Sequence, residues 1–418
     1  MNRAVRSIFG SALIYSATSA LTGLVPILLL PLLTRLLSPS EYGVVAMYTV
    51  FAQMMSLVTG LSVHGAIGMR YFDRESLDFP RYVGTCVAIL VASASAMLVL
   101  VFLTSSYLER FTEIPALWLL IAVLSSAFAF VAQIQLVVWQ SAKKPFYFAG
   151  LRVGQAGLDI GLSLLFVVTL GLSWQGRTGG MALAAALCGI AALFLLWRGG
   201  WMRLSFDRDY ARSALKFGLP LVPHVIGGFL ITTIDRFMIT NILDVASTGI
   251  YMVAVQIGLA GLLVTDAVNR AVSPWLIEAL QVHDAARDKL IVRLSYAYFI
   301  LLLAGGYLGG LLAPPVFAVL VGEQFRAAGP VLVYITLGQA VGGIYLILSN
   351  YIFYAGRTGT LALITLSSGL LNVLMSYWLL TTRGIEGAAQ SFLLAQIVLC
   401  LGAWWLANKV RPMPWRPW

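Results

Sequence analysis

The apolar residues of this chain fall into twelve long runs separated by short polar connectors, and that pattern leaves few folds open to it. A run of about 20 apolar residues crosses a bilayer as a helix, because hydrocarbon offers no partner to an unpaired backbone group. The runs lie near residues 8–33, 42–66, 82–105, 115–140, 151–171, 179–197, 214–240, 248–271, 291–313, 328–352, 359–381 and 385–407. The connectors stay under about 20 residues, which leaves no room for an extramembrane catalytic domain. Only 11% of residues are charged against 60% hydrophobic, whereas soluble domains carry roughly a quarter charged residues. Lipid must therefore cover much of the surface, and the sequence predicts an all-α integral membrane protein.

The net charge of +10 is spread over the connectors rather than gathered in a solvated patch, so no nucleic-acid partner is expected. Cytoplasmic loops of membrane proteins are enriched in Lys and Arg. Placing the N-terminus inside puts 21 of the 27 Lys and Arg residues on one side and 6 on the other. Both termini are therefore expected in the cytoplasm, and the alternation requires an even number of spans. Trp118, Trp174 and Trp378 fall at outer ends, and Trp139, Trp197, Trp201, Trp275, Trp404 and Trp405 at inner ends, as an aromatic belt requires. The opening residues MNRAVRSIFG resemble the charged start of an export signal, but no small-residue cleavage site follows, and Ile8 is expected to open the first span. Cys86, Cys188 and Cys400 lie inside apolar runs and have no metal-ligand spacing. No metal site is expected.

The two halves carry a weak direct repeat. Residues 34–45, TRLLSPSEYGVV, align without gaps with 240–251, TNILDVASTGIY, matching Thr34 with Thr240, Leu37 with Leu243 and Gly43 with Gly249. Gly176-x-x-Gly179 before span six answers Gly384-x-x-Gly387 before span twelve. Six spans in each half make the repeat parallel, with lobes expected over 1–205 and 206–418. Transporters built this way hold substrate between the lobes and rock them for alternating access. Convergence of short loops on Gly, Ser and Thr is the other account of the same matches.

At these residues the chain resembles a known family. The run from Pro31 through Thr34, Arg35, Ser38, Glu41 and Tyr42 to Gly43 is similar to the opening signature of the bacterial polysaccharide and O-antigen flippases. Phe217-Gly-Leu-Pro220-Leu-Val-Pro223, Asp235-Arg236-Phe237 and Gly249-Ile-Tyr251 resemble their seventh-span signature. The family belongs to the multidrug/oligosaccharidyl-lipid/polysaccharide exporter superfamily. The resemblance implies two six-helix lobes around a central cavity, in a bacterial inner membrane. It implies as cargo a lipid-linked oligosaccharide, the sugar repeat unit of O-antigen and lipopolysaccharide on undecaprenyl diphosphate. Membrane lipids, a polysaccharide polymerase and chain-length proteins are the partners expected alongside it. The peptidoglycan-precursor flippase is a near relative, but its usual two extra helices have no room here.

Moving a diphosphate past hydrocarbon calls for a polar cavity with positive charge. Ionisable groups inside spans cost about 2.5–3.5 kcal/mol each on insertion scales, so they face such a cavity or each other. Span five places Arg152, Gln155, Asp159 and Ser163 on one face, and span eleven places Thr365, Ser368, Asn372 and Ser376 likewise. Spans one and two offer Ser11, Tyr15, Ser19 and Thr22, and Gln53, Ser56, Gly60 and His64. Such stripes line a cavity or knit helices together by hydrogen bonds. Under the repeat alignment His64 matches Arg270, so both lobes are expected to end their second helix with a basic group near the inner mouth. Arg35 and Arg236 stand near outer ends, where a gate, a diphosphate contact or a structural pair would use them. Neighbours on a helix point about 100° apart, so Asp235 and Arg236 are expected to bond across helices rather than to each other.

Pro26 and Pro31 in span one, and Pro220, Pro223, Gly227 and Gly228 in span seven, interrupt the first helix of each half and are the hinge candidates. Asp159, His224 and Asp235 are the candidates for ion coupling or gating. No organic cofactor is expected; transport would draw on the membrane potential or on an H+ or Na+ gradient. A multidrug exporter of the same fold is the nearer alternative, and a membrane-embedded sugar polymerase or glycosyltransferase the further one. The short outer connectors, and the lack of a Gly-x-x-x-x-Gly-Lys nucleotide loop, weigh against an enzyme.

Overall fold

The computed structural model describes residues 14–282 and 284–415, without the side chains of His224, Ala313, Pro314, Val316 and Ala318. Every regular element among the described residues is helical. Long helices form where hydrocarbon leaves the backbone no partner but itself. In chain order they are α1 Ile14–Leu36, α2 Pro39–Val58, α3 Val63–Arg70, α4 Phe79–Leu103, α5 Ser105–Thr112, α6 Ala116–Ser141, α7 Pro145–Leu164 and α8 Ser173–Arg198. The second half holds α9 Arg208–Thr232, α10 Ile234–Ile242, α11 Val245–Gln281, α12 Ala285–Leu311, α13 Ala313–Leu320, α14 Gly329–Tyr354, α15 Thr358–Arg383 and α16 Ile385–Val410.

Eleven of the described helices are long and apolar enough to cross a membrane, and α2 with the stretch from Val63 makes a twelfth span bent by 53°. The protein is therefore a multi-pass membrane protein with the expected span count. Two spans depart from their expected limits. The seventh begins at Arg208 rather than 214 and stops at Thr232, because the chain breaks at Thr233 before α10. The eighth, α11, runs to Gln281 over 37 residues, about 55 Å at 1.5 Å per residue and so longer than a bilayer is thick. The bend after α2 is built from three consecutive left-handed residues, Gly60, Leu61 and Ser62. It is held in place by Ser93 Oγ, which accepts from Gly60 N at 2.9 Å, and by Gly218 of α9, where a side chain would overlap the Leu61 carbonyl.

Two compact units emerge. One takes the residues up to Val25 together with Val44–Val225; the other takes Pro26–Gly43 together with the residues from Ile226 onward. The helices α1, α2 and α9 each pass from one unit to the other within their length. Residues 206–225, expected to open the second lobe, thus pack in the first unit. The segment ahead of them is welded there as well. Arg203 N donates to Pro80 O at 3.0 Å, Asp207 N to Thr85 Oγ1 at 3.1 Å, and Arg81 pairs with Asp207 at 3.2 Å. The core of the first unit gathers Ile67, Tyr82, Val83, Cys86, Ile134 and Leu196; that of the second gathers Leu280, Val292, Leu348, Tyr351 and Leu406.

Within the second unit the aligned glycines meet reciprocally. A side chain at Gly43 would overlap the carbonyl of Val245, and one at Gly249 would overlap the carbonyl of Pro39. Pro39 and Val245 are themselves aligned positions, so the start of α2 and the start of α11 cross with each glycine seated on the other's first turn. Such overlaps cannot be relieved by a rotamer change, because both colliding atoms belong to backbone. Gly43→Ala and Gly249→Ala should each destabilise the protein in detergent by about 1–3 kcal/mol. Gly154→Ala and Gly157→Ala, on the open side of α7 with nothing within 4 Å, should be neutral or stabilising by up to about 1 kcal/mol. Thermal unfolding of the four variants checks this; equal shifts would show that the crossing is not tightly packed.

Candidate functional site

A helix that stops among buried residues leaves its last four carbonyls without intrahelical donors. At the end of α9 each of these finds one. Phe229 O accepts from Thr233 N at 2.8 Å, Leu230 O and Ile231 O accept from Asn372 Nδ2 of α15 at 2.9 and 3.4 Å, and Thr232 O accepts from Arg236 Nη1. Arg236 is held by its neighbour: Asp235 Oδ1 accepts from Arg236 Nη1 at 2.7 Å and from Arg236 N at 3.0 Å. Tyr251 OH donates to Asp235 Oδ2, and the Arg236 guanidinium lies 5.6 Å from the centre of the Tyr251 ring. Asp235, Arg236 and Tyr251 are 1%, 6% and 0% exposed.

The expectation that Asp235 and Arg236 bond across helices rather than to each other holds in part: Asp235 does reach Tyr251 of α11, but the two also pair with each other. Both stand in the first turn after a break, with Thr233 at φ −140°. Arg236 turns back toward the end of α9 while its Nη1 still reaches Asp235 Oδ1, so the ~100° separation of an unbroken helix does not keep them apart. Asn372 belongs to a stripe that is wholly buried: Thr365, Ser368, Asn372 and Ser376 are at most 4% exposed. Ser376 Oγ lies 2.5 Å from Ser391 Oγ of α16, and Gly227 and Gly369 let the α9 and α15 backbones touch. This stripe binds helices together.

The first unit holds a second pair, with a buried arginine and a half-buried aspartate. α7 ends in a wide turn of π type, Leu165–Thr169, and α8 returns against it. Gly180 of α8 has no room for a Cβ against the backbone of Ser163, and at Gly176, one turn earlier, a Cβ would press on the backbone of Phe166 and Val167. Arg177 is thereby brought onto Asp159: Nη1 to Oδ1 at 2.5 Å and Nη2 to Oδ2 at 3.3 Å. Ser163 Oγ accepts from Nη1 at 2.6 Å. Arg177 is 6% exposed and was missed from the sequence, where it reads as an outer-connector cation. Its signal was its place between Gly176 and Gly179 at the start of a span, opposite a carboxylate in the preceding one.

The other candidates are dispersed. Arg152 donates to Gln133 Oε1 of α6 at 3.1 Å. His64 does not end a helix. It follows the bend in α3, edge-on to Phe130 at 5.2 Å, with a buried Nδ1 that has no hydrogen-bond partner among the described residues. Arg270 likewise lies within α11 rather than at its end, paired with Asp266 at 2.8 Å, so the matched inner-end positions expected for these two do not hold. Beside Arg270, Asn350 Nδ2 donates to Asn269 Oδ1 at 2.9 Å and Ser273 Oγ to Asn350 Oδ1 at 2.6 Å. Arg35 is exposed and donates to Val319 O at 3.0 Å. One residue earlier, Thr34 Oγ1 accepts from Gly322 N at 3.1 Å, and Gln324 Nε2 caps Leu37 O at 2.8 Å.

Among the hinge candidates, Pro26 follows the irregular turn at Leu24 and Pro31 lies within α1. Pro220 sits in a 3-10 turn, Leu219–Leu221, and Pro223 opens the last stretch of α9. Gly227 is a packing glycine, whereas Gly228 faces open space. The His224 side chain, like Ser11, lies outside the described residues.

Removing one partner of a buried ion pair strands the other charge, at about 3–5 kcal/mol. Arg236→Ala should lower thermal stability by that amount, and Asn372→Leu by about 1–3 kcal/mol for the carbonyls it uncovers. In the first unit Arg177→Met should be worse than the double variant Asp159→Leu with Arg177→Met. Unfolding curves in detergent check both, and a double variant less stable than either single would overturn the pairing.

Comparison with known proteins agrees with this architecture. The sequence pattern of the family described as polysaccharide biosynthesis protein matches residues 9–280. Lsg locus putative protein 1 of Haemophilus influenzae is 27% identical over 364 residues, 84% of this chain and 86% of that protein. An uncharacterized membrane protein of the same organism is 23% identical over 339 residues, 80% of this chain and 81% of its own length. In structure the chain is similar to the lipid II flippase MurJ in an inward closed conformation, with TM-score 0.75 at 14% identity over 97% of this chain and 87% of that one. It is also similar to an inward-facing multidrug resistance MATE family transporter, with TM-score 0.71 at 15% identity over 93% and 97%. The fold is that of these transporters, and the family match covers well over half of the sequence: the chain belongs to the polysaccharide biosynthesis protein family of membrane proteins.

Proposed function

We propose that this protein is a flippase, carrying undecaprenyl diphosphate-linked oligosaccharide repeat units from the cytoplasmic to the outer face of a bacterial inner membrane by alternating access. The observation that carries the reading is the sharing of α1 and α9 between the two units. Each changes unit at a proline- or glycine-bearing stretch, between Val25 and Pro26 and between Val225 and Ile226, and each is irregular nearby, at Leu24 and at Leu219–Leu221. A helix anchored at both ends to different bodies, and weak between them, is what a rocking transporter needs. The fold is common to flippases and multidrug exporters, so the choice of cargo rests on the family match rather than on the helices.

Both termini are assigned to the cytoplasm, from the distribution of Lys and Arg. A polysaccharide polymerase and chain-length proteins would take the product on the outer side. We assign the drive to the membrane potential: each negative charge leaving an inside-negative cell gains about 2.3 kcal/mol per 100 mV. A cycle coupled to H+ or Na+ through Asp159 or Asp235 would first have to break its pairing with Arg177 or Arg236.

Deleting the gene in its host should make lipid-linked oligosaccharide accumulate on the cytoplasmic face and abolish surface polysaccharide, and the intact gene should restore both. Unchanged surface polysaccharide with reduced drug or dye efflux would move the protein to the exporters. A fluorescent protein fused at the C-terminus should fluoresce while alkaline phosphatase fused there stays inactive; the opposite result would reverse the orientation.

A further inference from the structure

The inner end of the first unit is rich in cations, and most of them are engaged. Arg70 pairs with Asp73, Arg81 with Asp207 and Arg203 with Asp78. Arg74 lies over Tyr71, Lys144 over Tyr147 and Trp201, and Arg198 over Phe194. A row on α9 differs. Arg208, Arg212 and Lys216 are exposed, and among the described residues none of them makes an ion pair, a hydrogen bond or a ring contact. Lys143 shares that state but lies in a turn remote from α9 in sequence.

Steps of four residues put the three cations on one helix face, about 6 Å apart and about 12 Å end to end. The opposite side of the same stretch is the packed one: Ala211, Ala214 and Gly218 are buried, and Phe217 lies against Gly65 of α3. Asp207 caps the helix with its carboxylate turned to the backbone of Asp209 and Tyr210. Asp209 is the one carboxylate on the exposed side. Further along, the cationic face gives way to exposed Leu219 and Pro223. The helix thus presents charge over its first nine residues and apolar surface over the next two turns.

We propose that Arg208, Arg212 and Lys216 form the loading site for the diphosphate of an isoprenyl-linked substrate, whose first isoprene units lie along Leu219 and Pro223. The proposal rests on the flippase reading and adds the substrate's point of entry to it. Phosphate oxygens recruit unpaired cations by charge-assisted hydrogen bonds, and a row allows the head group to pass from one cation to the next along α9. It ends at the Leu219–Leu221 turn, just short of where the helix changes unit. Ordinary anionic phospholipids carry the same phosphate chemistry, so the test separates the two sources.

The full-length chain is placed in nanodiscs of phosphatidylethanolamine and titrated with farnesyl diphosphate, with phosphatidylglycerol as the competing phosphate. Replacing Arg208, Arg212 and Lys216 together by Gln should weaken farnesyl diphosphate binding at least about tenfold, and R208K/R212K/K216R should retain it. In proteoliposomes carrying the host's lipid-linked oligosaccharide, the Gln variant should raise the half-saturating substrate concentration with little change in maximal rate. Single Gln variants, each with a smaller loss, keep the test open if the triple variant does not insert. Equal farnesyl diphosphate affinity in wild type and variant, no binding by the wild type, or an equal loss of phosphatidylglycerol binding would each overturn the loading site. If the row binds farnesyl diphosphate but the wild type moves no lipid-linked oligosaccharide, the site stands and the flippase reading falls. If the wild type transports and the variant matches it, only the site falls.

Discussion

Buried away from water, a backbone carbonyl must be paired by the protein itself, and the break after Thr232 depends on meeting that demand. Arg236 and Asn372 supply the donors, Asp235 neutralises and orients Arg236, and Tyr251 holds Asp235. The arrangement is a chain of obligations: Arg236 Nη1 and the two Asp235 oxygens are each engaged by the next group, while among the described residues Arg236 Nε finds no partner. That explains how two charges can stand at 1% and 6% exposure. Their desolvation is offset by pairing with each other and with a helix end that needed a donor. The break they stabilise closes the end of a helix shared by the two units, within the second unit, so a local hydrogen-bonding solution sets where that helix stops.

Close backbone approach is the second constraint. Gly43 and Gly249 seat α2 and α11 on each other's first turns, Gly176 and Gly180 bring Arg177 to Asp159, and Gly227 with Gly369 joins α9 to α15. In a bilayer, helices gain little from hiding apolar surface, so dispersion contacts and interhelical hydrogen bonds hold them. Glycine permits both by removing the side chain from the contact. The Asp159–Arg177 pair follows from that geometry: two small residues, one turn apart, set the helix separation at which a guanidinium reaches across.

Much of the fold was legible because its determinants are local. Hydrophobic run length and connector brevity depend on neighbouring residues alone, and they yielded the helical class and the span count. The bend at Gly60–Ser62 and the stop at Thr232 were less visible, since each is carried by only a few residues within an apolar run. The repeat was legible at Gly43 and Gly249 because a position without room for a Cβ admits no other residue. The candidate site was legible only as a set of residue types. Asp159 was recognisable as an expensive group, but not its partner, because Arg177 lies in the next helix and reads as a connector cation.

The sequence by itself determined that this chain lives in a membrane as a bundle of about a dozen helices, because transfer of apolar surface and backbone pairing act over a few residues at a time. Only the tertiary structure decided which polar residues meet. Asp235 turns to its own neighbour, Asn372 spends its amide on a broken helix, and residues 206–225 join the first unit rather than the second. Those outcomes depend on helix separation and on where a helix stops, quantities set by packing between residues more than a hundred positions apart in the chain. Side-chain partnership is a property of that packing, and spacing along a single helix does not contain it.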